Sequence, residues 1–204
     1  MSSLDVPLDV AAKLDTFTER VKASPHNLVS RQAREELRER HIPECVAFAR
    51  MLPNGPLRVL DVGSGGGFPG VVIAAARPDL TVDLLDATAK KTDFLATIAA
   101  ELGLDVEVHT GRAEELAATE LAGSFDAVTA RAVAPLRRLI PWTMPFLRPG
   151  GCLYAIKGER WAEELSAAID TLRPYNAEVV ATPDPLATAD PVATPLVVTI
   201  ERLR

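Results

Sequence analysis

Val59-Leu60-Asp61-Val62-Gly63-Ser64-Gly65-Gly66-Gly67-Phe68-Pro69-Gly70 is the stretch on which the fold of this chain turns. Leu57–Val62 is a short apolar strand, and Val71–Ala76 is an apolar helical stretch that stops before Pro78. Between them, Gly63, Gly65 and Gly67 let the backbone turn tightly and approach a ligand without interference from Cβ. Working outward, Leu80–Leu85 is a second strand. Thr88 is placed to cap a helix whose Phe94, Leu95, Ile98 and Leu102 share a face, with Gly103 at its C-terminal end. Asp105–Thr110, Phe125–Ala130 and Cys152–Ile156 read as three more strands, with helical segments near 112–119, 135–147 and 159–171. Glu178–Ala181 and Leu196–Ile200 have no helix between them and read as a hairpin. The piece carrying Pro183, Pro185, Pro191 and Pro195 is read as loop. Strands alternating with helices predict an α/β protein with a doubly wound, mostly parallel seven-stranded sheet. Its ligands belong beyond the carboxyl ends of the strands.

Upstream the pattern is helical. Val10, Leu14, Phe17 and Val21 form one stripe, which Ser24-Pro25 ends. Ser30 is placed to cap a second helix running through Ala33 and Leu37 to about His41, and Pro43 breaks it or starts a third. Pro53-Asn54-Gly55-Pro56 is a turn, so residues 1–52 are expected to be a helical extension of a domain spanning 53–204.

The glycine turn can be read in two registers. Gly65-x-Gly67-x-x-Gly70 fits the dinucleotide fingerprint, which implies a nicotinamide-dependent oxidoreductase. Asp61-x-Gly63-x-Gly65-x-Gly67 fits the first motif of S-adenosylmethionine-dependent methyltransferases. A carboxylate at the strand tip attracts a ligand carrying an ammonium and a sulfonium, and repels a pyrophosphate. Pro69 also removes an N–H from the helix start that would face phosphates. Both arguments favour the second register. Asp86 ends the second strand, 25 residues past Asp61, where a carboxylate can accept both ribose hydroxyls. Ser64 lacks the first glycine of a nucleophile elbow, because Val62 stands there. Lys90-Lys91-Thr92 lacks the glycines of a phosphate loop. His26, His41 and His109 have no ligand spacing, so no metal is expected.

The chain has 204 residues, 48% of them hydrophobic and 25% charged, a balance that excludes disorder. Its longest apolar run, Val71–Ala76, is far short of the roughly 18 residues a membrane span needs. Two cysteines and no basic-then-apolar N-terminus point to a reduced, cytoplasmic, soluble protein. The net charge of −6 is unevenly spread. Between Arg131 and Arg160 six basic residues stand against one acid, and between Glu101 and Asp126 seven acids stand against one arginine. A basic face of this kind suits a polyanion partner.

Asp61-Val-Gly-Ser-Gly-Gly-Gly-Phe-Pro-Gly70, Leu84-Leu-Asp86 with Lys90, Ala130-Arg-Ala-Val-Ala-Pro-Leu136 and Lys157-Gly158 together resemble the ribosomal small-subunit methyltransferase G family, also called glucose-inhibited division protein B. Asn27-Leu28 and Arg40-His41 resemble the family's upstream segments. Val29-Ser30 stands where the family has Thr-Ser, and Glu44-Cys45 where it usually has Asp-Ser. The resemblance implies a class I S-adenosylmethionine-dependent methyltransferase acting on N7 of one guanine in 16S ribosomal RNA, free or in the small subunit. N7 is an unprotonated acceptor in the major groove, so it attacks a methyl without losing a proton and no catalytic base is expected. Cys152 then reads as a small core residue.

By that resemblance Gly63, Phe68, Ala113, Glu114 and Arg131 should touch the cofactor, alongside Asp61, Gly65 and Asp86 read from the turn itself. Glu114 reads equally as a first-turn helix acid. Arg131, at the tip of the fourth strand, would lie near the reaction centre and bridge the cofactor carboxylate and an RNA phosphate. Arg137, Arg138 and Lys157 are expected on an RNA-facing rim, with Arg34 and Arg38 joining from the second helix. There Arg31, Arg34 and Arg38 share a face, and pairing with Glu35 competes for it. The protein is expected to be a monomer. A small-molecule methyltransferase with the N-terminal helices as a lid, and a non-enzymatic RNA-binding module, are the alternatives.

Overall fold

The computed structural model describes residues 5–183 and 194–204. Seven strands form one sheet: β1 (Arg58–Val62), β2 (Thr81–Asp86), β3 (Val106–Thr110), β4 (Phe125–Arg131), β5 (Leu147–Lys157), β6 (Ala177–Ala181) and β7 (Leu196–Arg202). They lie in the order β3-β2-β1-β4-β5-β7-β6. β1 pairs in parallel with β2 and β4, β2 with β3, and β4 with β5, while β7 runs antiparallel to both β5 and β6. The expected hairpin therefore supplies the single antiparallel strand. Pro183 and Pro195 flank it, whereas Pro185 and Pro191 lie outside the described residues.

Helices cover both faces because the strands are apolar on both. Val59, Val82 and Leu84 bury on one side with α4 (Gly70–Ala76) and α5 (Ala89–Leu102). Leu60, Val62 and Leu85 bury on the other with α7 (Leu136–Thr143), and the short α6 (Ala113–Leu116) and α8 (Trp161–Ser166) edge that layer. Gly103 closes α5 at φ +61, a left-handed conformation that glycine adopts without penalty. The N-terminal helices α1 (Leu8–Ala23) and α3 (Ile42–Met51) share the first core: Val10, Leu14, Phe17, Val21 and Phe48 bury together with Val71 and Leu95. No helix among the described residues is long and apolar enough to cross a membrane.

Three local expectations need correction. Ser30 does cap a helix, accepting the Ala33 amide at 3.1 Å, but that helix, α2, spans only Arg31–Glu35. It gives way to a π turn over Leu37–His41, in which the His41 amide reaches back to the Glu36 carbonyl. The wider turn admits Pro43, which has no N–H to give and whose ring would strike a carbonyl in a continuous α-helix. Thr88 is the N-cap of α5, yet its side chain caps nothing; its amide instead donates to the Asp86 carboxylate at 2.9 Å. Cys152 is half-buried in β5 and stands outside both cores.

Candidate active site

The turn after β1 sits where the sheet changes direction, with β2 on one side of β1 and β4 on the other. Crevices at such a switch point hold ligands because the connecting segments diverge there. The Asp61 carboxylate braces the turn from inside. Oδ2 accepts the Gly70 amide at 3.1 Å and Oδ1 accepts the Thr129 hydroxyl of β4 at 2.8 Å. With 1% of its surface exposed, Asp61 is turned into the protein and not toward open space. Burial pushes its carboxyl up to about 6, and the hydrogen bonds only partly oppose that. Ser64 is equally committed: its hydroxyl donates to the Asp61 carbonyl at 2.8 Å and accepts the Leu85 amide at 3.2 Å.

Most amides of the turn are spent internally. Those of Gly63 and Ser64 go to the Leu85 carbonyl, Gly67 to the Ser64 carbonyl, and Gly65 to Asp86 at 2.9 Å. Gly70 and Val71, which open α4, go to Asp61 and the Gly67 carbonyl. A pyrophosphate seated here would compete for donors already taken, so the dinucleotide register fails on hydrogen bonding. The Asp61-Gly63-Gly65-Gly67 register holds, although Asp61 acts as an internal brace where the charge argument had it meeting the ligand directly.

The outer side of the turn is open. A Cβ on Gly65 would meet only the Gly63 and Leu28 carbonyl oxygens, at 3.7 and 3.8 Å. Asp86, at the end of β2, holds Gly65, Thr88 and, at 3.5 Å, the Lys91 ammonium. A carboxylate offers about four acceptor sites, so one remains, enough for one hydroxyl of a diol and not for both. An acid with acceptor capacity beside an open, phosphate-poor turn suits a nucleoside with a cationic tail. Ala113 is buried at the start of α6 and Glu114 is exposed beside it. Phe68 packs its ring against Phe17, centroids 4.9 Å apart.

Arg131 ends β4 and turns toward α3, where Nη2 lies 3.2 Å from Glu44 and Nη1 3.2 Å from the Cys45 sulfur. The same guanidinium touches His41 Nδ1. Burial works to raise the Glu44 carboxyl, but His41, Arg40 and Arg131 together hold it below the ordinary range. Burial pushes the Cys45 thiol up to about 12, so it is no nucleophile. Glu44 and Cys45, where the sequence departs from the resembling pattern in this segment, thus hold Arg131 together with His41. Arg131, Glu44 and the β4–α7 loop line a cleft of about 1020 Å³ that also reaches Lys157 and Leu196.

The family model described as rRNA small subunit methyltransferase G matches residues 11–186. The chain belongs to this family. It is 44% identical over 189 residues to the ribosomal RNA small subunit methyltransferase G of Sorangium cellulosum, covering 89% of this chain and 79% of that relative. The Mycobacterium leprae protein of the same name is 44% identical over 151 residues, 74% of this chain, and the chain spans only 59% of its length. Among solved structures, a predicted O-methyltransferase from Agrobacterium tumefaciens superimposes with a TM-score of 0.60 over 78% of this chain and 80% of that one, at 19% identity, a likeness of fold alone.

Within this member of the rRNA small subunit methyltransferase G family, the expected basic rim shrinks. Lys157 is inside: its side chain is 7% exposed, 2.7 Å from Glu164 and 2.9 Å from the Ala134 carbonyl. Arg148 pairs with Asp126 and Arg160 with Glu163. Because α2 ends at Glu35, the arginine stripe never forms. Arg38 reaches Asp15 at 2.9 Å, and Arg31 only approaches Glu35 at 3.9 Å, the intrahelical rival. Arg34 donates to the Lys22, Ser24 and His26 carbonyls at 3.2, 3.3 and 3.0 Å, closing the end of α1. Arg34→Ala is therefore expected to lower unfolding free energy by about 1–2 kcal/mol in urea titrations while leaving RNA affinity within about twofold. Arg137 and Arg138 remain exposed on α7, and Arg138 lies 5.0 Å over the Trp142 ring. Neither forms an ion pair among the described residues.

One cluster could be mistaken for a metal centre. Asp83, Glu107 and His109 bring ligand atoms within 4.8 Å of one another. Arg58 Nη2 already occupies that position, 2.8 Å from Asp83 and 3.6 Å from Glu107, with His109 Nε2 2.9 Å from the same Asp83 oxygen. A guanidinium there repels a second cation.

Proposed function

We infer that this protein transfers the methyl group of S-adenosylmethionine to N7 of a guanine in 16S ribosomal RNA. The observation that carries the reading is the acid-braced glycine turn at the switch point, with unfilled space at Gly65 beside the Asp86 carboxylate and a large cleft beside the neighbouring β4 tip. S-adenosylmethionine supplies a methyl already activated on a sulfonium. Because N7 carries no proton, neither a catalytic base nor a Lewis acid is needed. The protein's task reduces to holding two reactants in line and excluding water. Gly63 and Gly65 shape the seat, Asp86 takes one ribose hydroxyl, and Ala113 and Glu114 flank the adenine, with Phe68 at the rim of the turn. Arg131, held by Glu44, lines the cleft beside the reacting end. Helices α1, α2 and α3 form a layer ahead of the domain that begins at residue 53. The protein works as a monomer, without a metal, in the cytoplasm.

Incubation with tritiated donor and either 30S subunits or naked 16S RNA tests this. Label recovered as 7-methylguanosine supports it, and unlabelled RNA in both arms refutes it. The double variant Arg137→Ala, Arg138→Ala should weaken RNA binding and flatten the dependence of log affinity on log salt by about one to two. Affinity for S-adenosylhomocysteine should stay unchanged in calorimetry.

A further inference from the structure

We propose that Glu164 is a positioning residue for methyl transfer, acting with Lys157 to clamp the loop between β4 and α7 against the glycine turn. The proposal rests on the methyltransferase reading above. Residues 132–135 form that loop, and Ala132 holds φ +54. That left-handed conformation is strained for an L-residue, which keeps it only where the surroundings over-determine it. Two side chains supply the constraint. Lys157, at the end of β5, donates to the Ala134 carbonyl at 2.9 Å. Glu164, in α8, accepts the Leu136 amide at 3.1 Å with the same Oε2 that lies 2.7 Å from Lys157 Nζ. The pair thus fastens both ends of the turn into α7 and ties three elements together.

What the clamp presses into place is Val133. Its Cγ2 lies 2.6 Å from where a Cβ on Gly63 would stand, so Val133 packs directly on the first glycine of the turn. Arg131 stands immediately before the same loop, held at its far end by Glu44 and Cys45. Slackening the loop shifts both the wall of the cofactor seat and the arginine at the cleft. Lys157 is buried in its side chain and Glu164 is partly exposed, and ion pairs of either kind contribute little net stability, so fixing one geometry is what this pair adds. Geometry matters here because in-line transfer needs reacting atoms about 3–3.5 Å apart, and a drift of about 1 Å costs on the order of 100-fold in rate.

Glu164→Ala is expected to lower kcat on 30S subunits or 16S RNA by about 10- to 100-fold, with KM for RNA changed by less than about threefold. The Leu136 amide, having lost its acceptor, should exchange with deuterium at least about tenfold faster. Glu164→Gln keeps an acceptor for that amide but leaves Lys157 without a counter-charge. It should fall between wild type and Glu164→Ala in both readouts, and it carries the test if the alanine variant does not fold. A raised KM for RNA at unchanged kcat would mean that Glu164 contacts the nucleic acid, and the positioning role would be wrong. Unchanged kcat with unchanged exchange would equally overturn it. If the wild-type protein labels no RNA, the methyltransferase reading fails by itself. The clamp is then judged by exchange at Leu136 together with the affinity for S-adenosylhomocysteine, which should weaken by about three- to tenfold in Glu164→Ala.

Discussion

Asp61→Ala is expected to lower unfolding free energy by about 2–5 kcal/mol and S-adenosylhomocysteine affinity by more than about tenfold, while Asp61→Asn retains most of both. The alanine variant leaves the Gly70 amide and the Thr129 hydroxyl without their acceptors in a fully buried site. Each orphaned group costs about 1–3 kcal/mol. Freed of its brace, the start of α4 drifts and the turn loses its shape. Asparagine can still accept the Gly70 amide through its carbonyl, and its NH₂ can donate to the Thr129 hydroxyl, which rotates to accept. The pair of variants separates two roles for the acid. If Asp61→Asn lost cofactor affinity as completely as alanine does, the negative charge would be meeting the methyl donor and the bracing account would fail.

The same residue predicts a pH signature. Its folded-state pKa of about 6 lies above the value of about 3.9 for an unfolded carboxyl. Between those values the folded protein binds the proton more readily than the unfolded chain. The contribution from this group is therefore fully present below about pH 4 and is lost as pH rises through 6. Measured by urea unfolding, the stability of wild type relative to Asp61→Asn should fall between about pH 3.5 and 7, by at most about 3 kcal/mol. A difference independent of pH would place the titration elsewhere.

Gly70→Ala should be comparably damaging. A Cβ there would stand 2.3 Å from Leu84 Cδ2 and 2.7 Å from Asp61 Oδ2, the oxygen that accepts the Gly70 amide. Leu84 is fully buried in the sheet, so the strand must yield or the carboxylate must leave. Overpacking of this kind costs about 1–3 kcal/mol, and displacing Asp61 adds the loss of its hydrogen bonds. We expect a loss of about 2–4 kcal/mol by thermal or urea denaturation, with weakened S-adenosylhomocysteine binding. Since both substitutions damage the same brace, Gly70→Ala combined with Asp61→Ala should cost less than the sum of the two. Strict additivity would show that the glycine and the acid act independently.

The glycine turn and its flanking elements were legible because their signals are local. Alternating apolar runs, a glycine cluster after a strand and a proline at a helix start are each set by backbone sterics within a few residues. Seven strands and one antiparallel member follow from that spacing, as does the position of Asp86 at a strand end. Even the choice of register was available, although its physical reason changed. A strand-tip acid attracts a cation in principle, but only the folded sheet, by bringing Thr129 to it from 68 residues away, turned Asp61 inward.

Charge was the part that linear order misread. Six basic residues between Arg131 and Arg160 look like one surface when counted along the chain. Folding brings Glu44 to Arg131, Asp126 to Arg148, Glu163 to Arg160 and Glu164 to Lys157, leaving Arg137 and Arg138 facing solvent. Secondary structure is written in near neighbours, so the amino-acid order alone determined the fold and the place of the glycine turn. Ion pairing depends on distance through space, and of these pairs only Arg160 and Glu163 are close neighbours in the sequence. Which arginines face solvent, and which side chains hold the loop over Gly63, were decided only when the chain was packed.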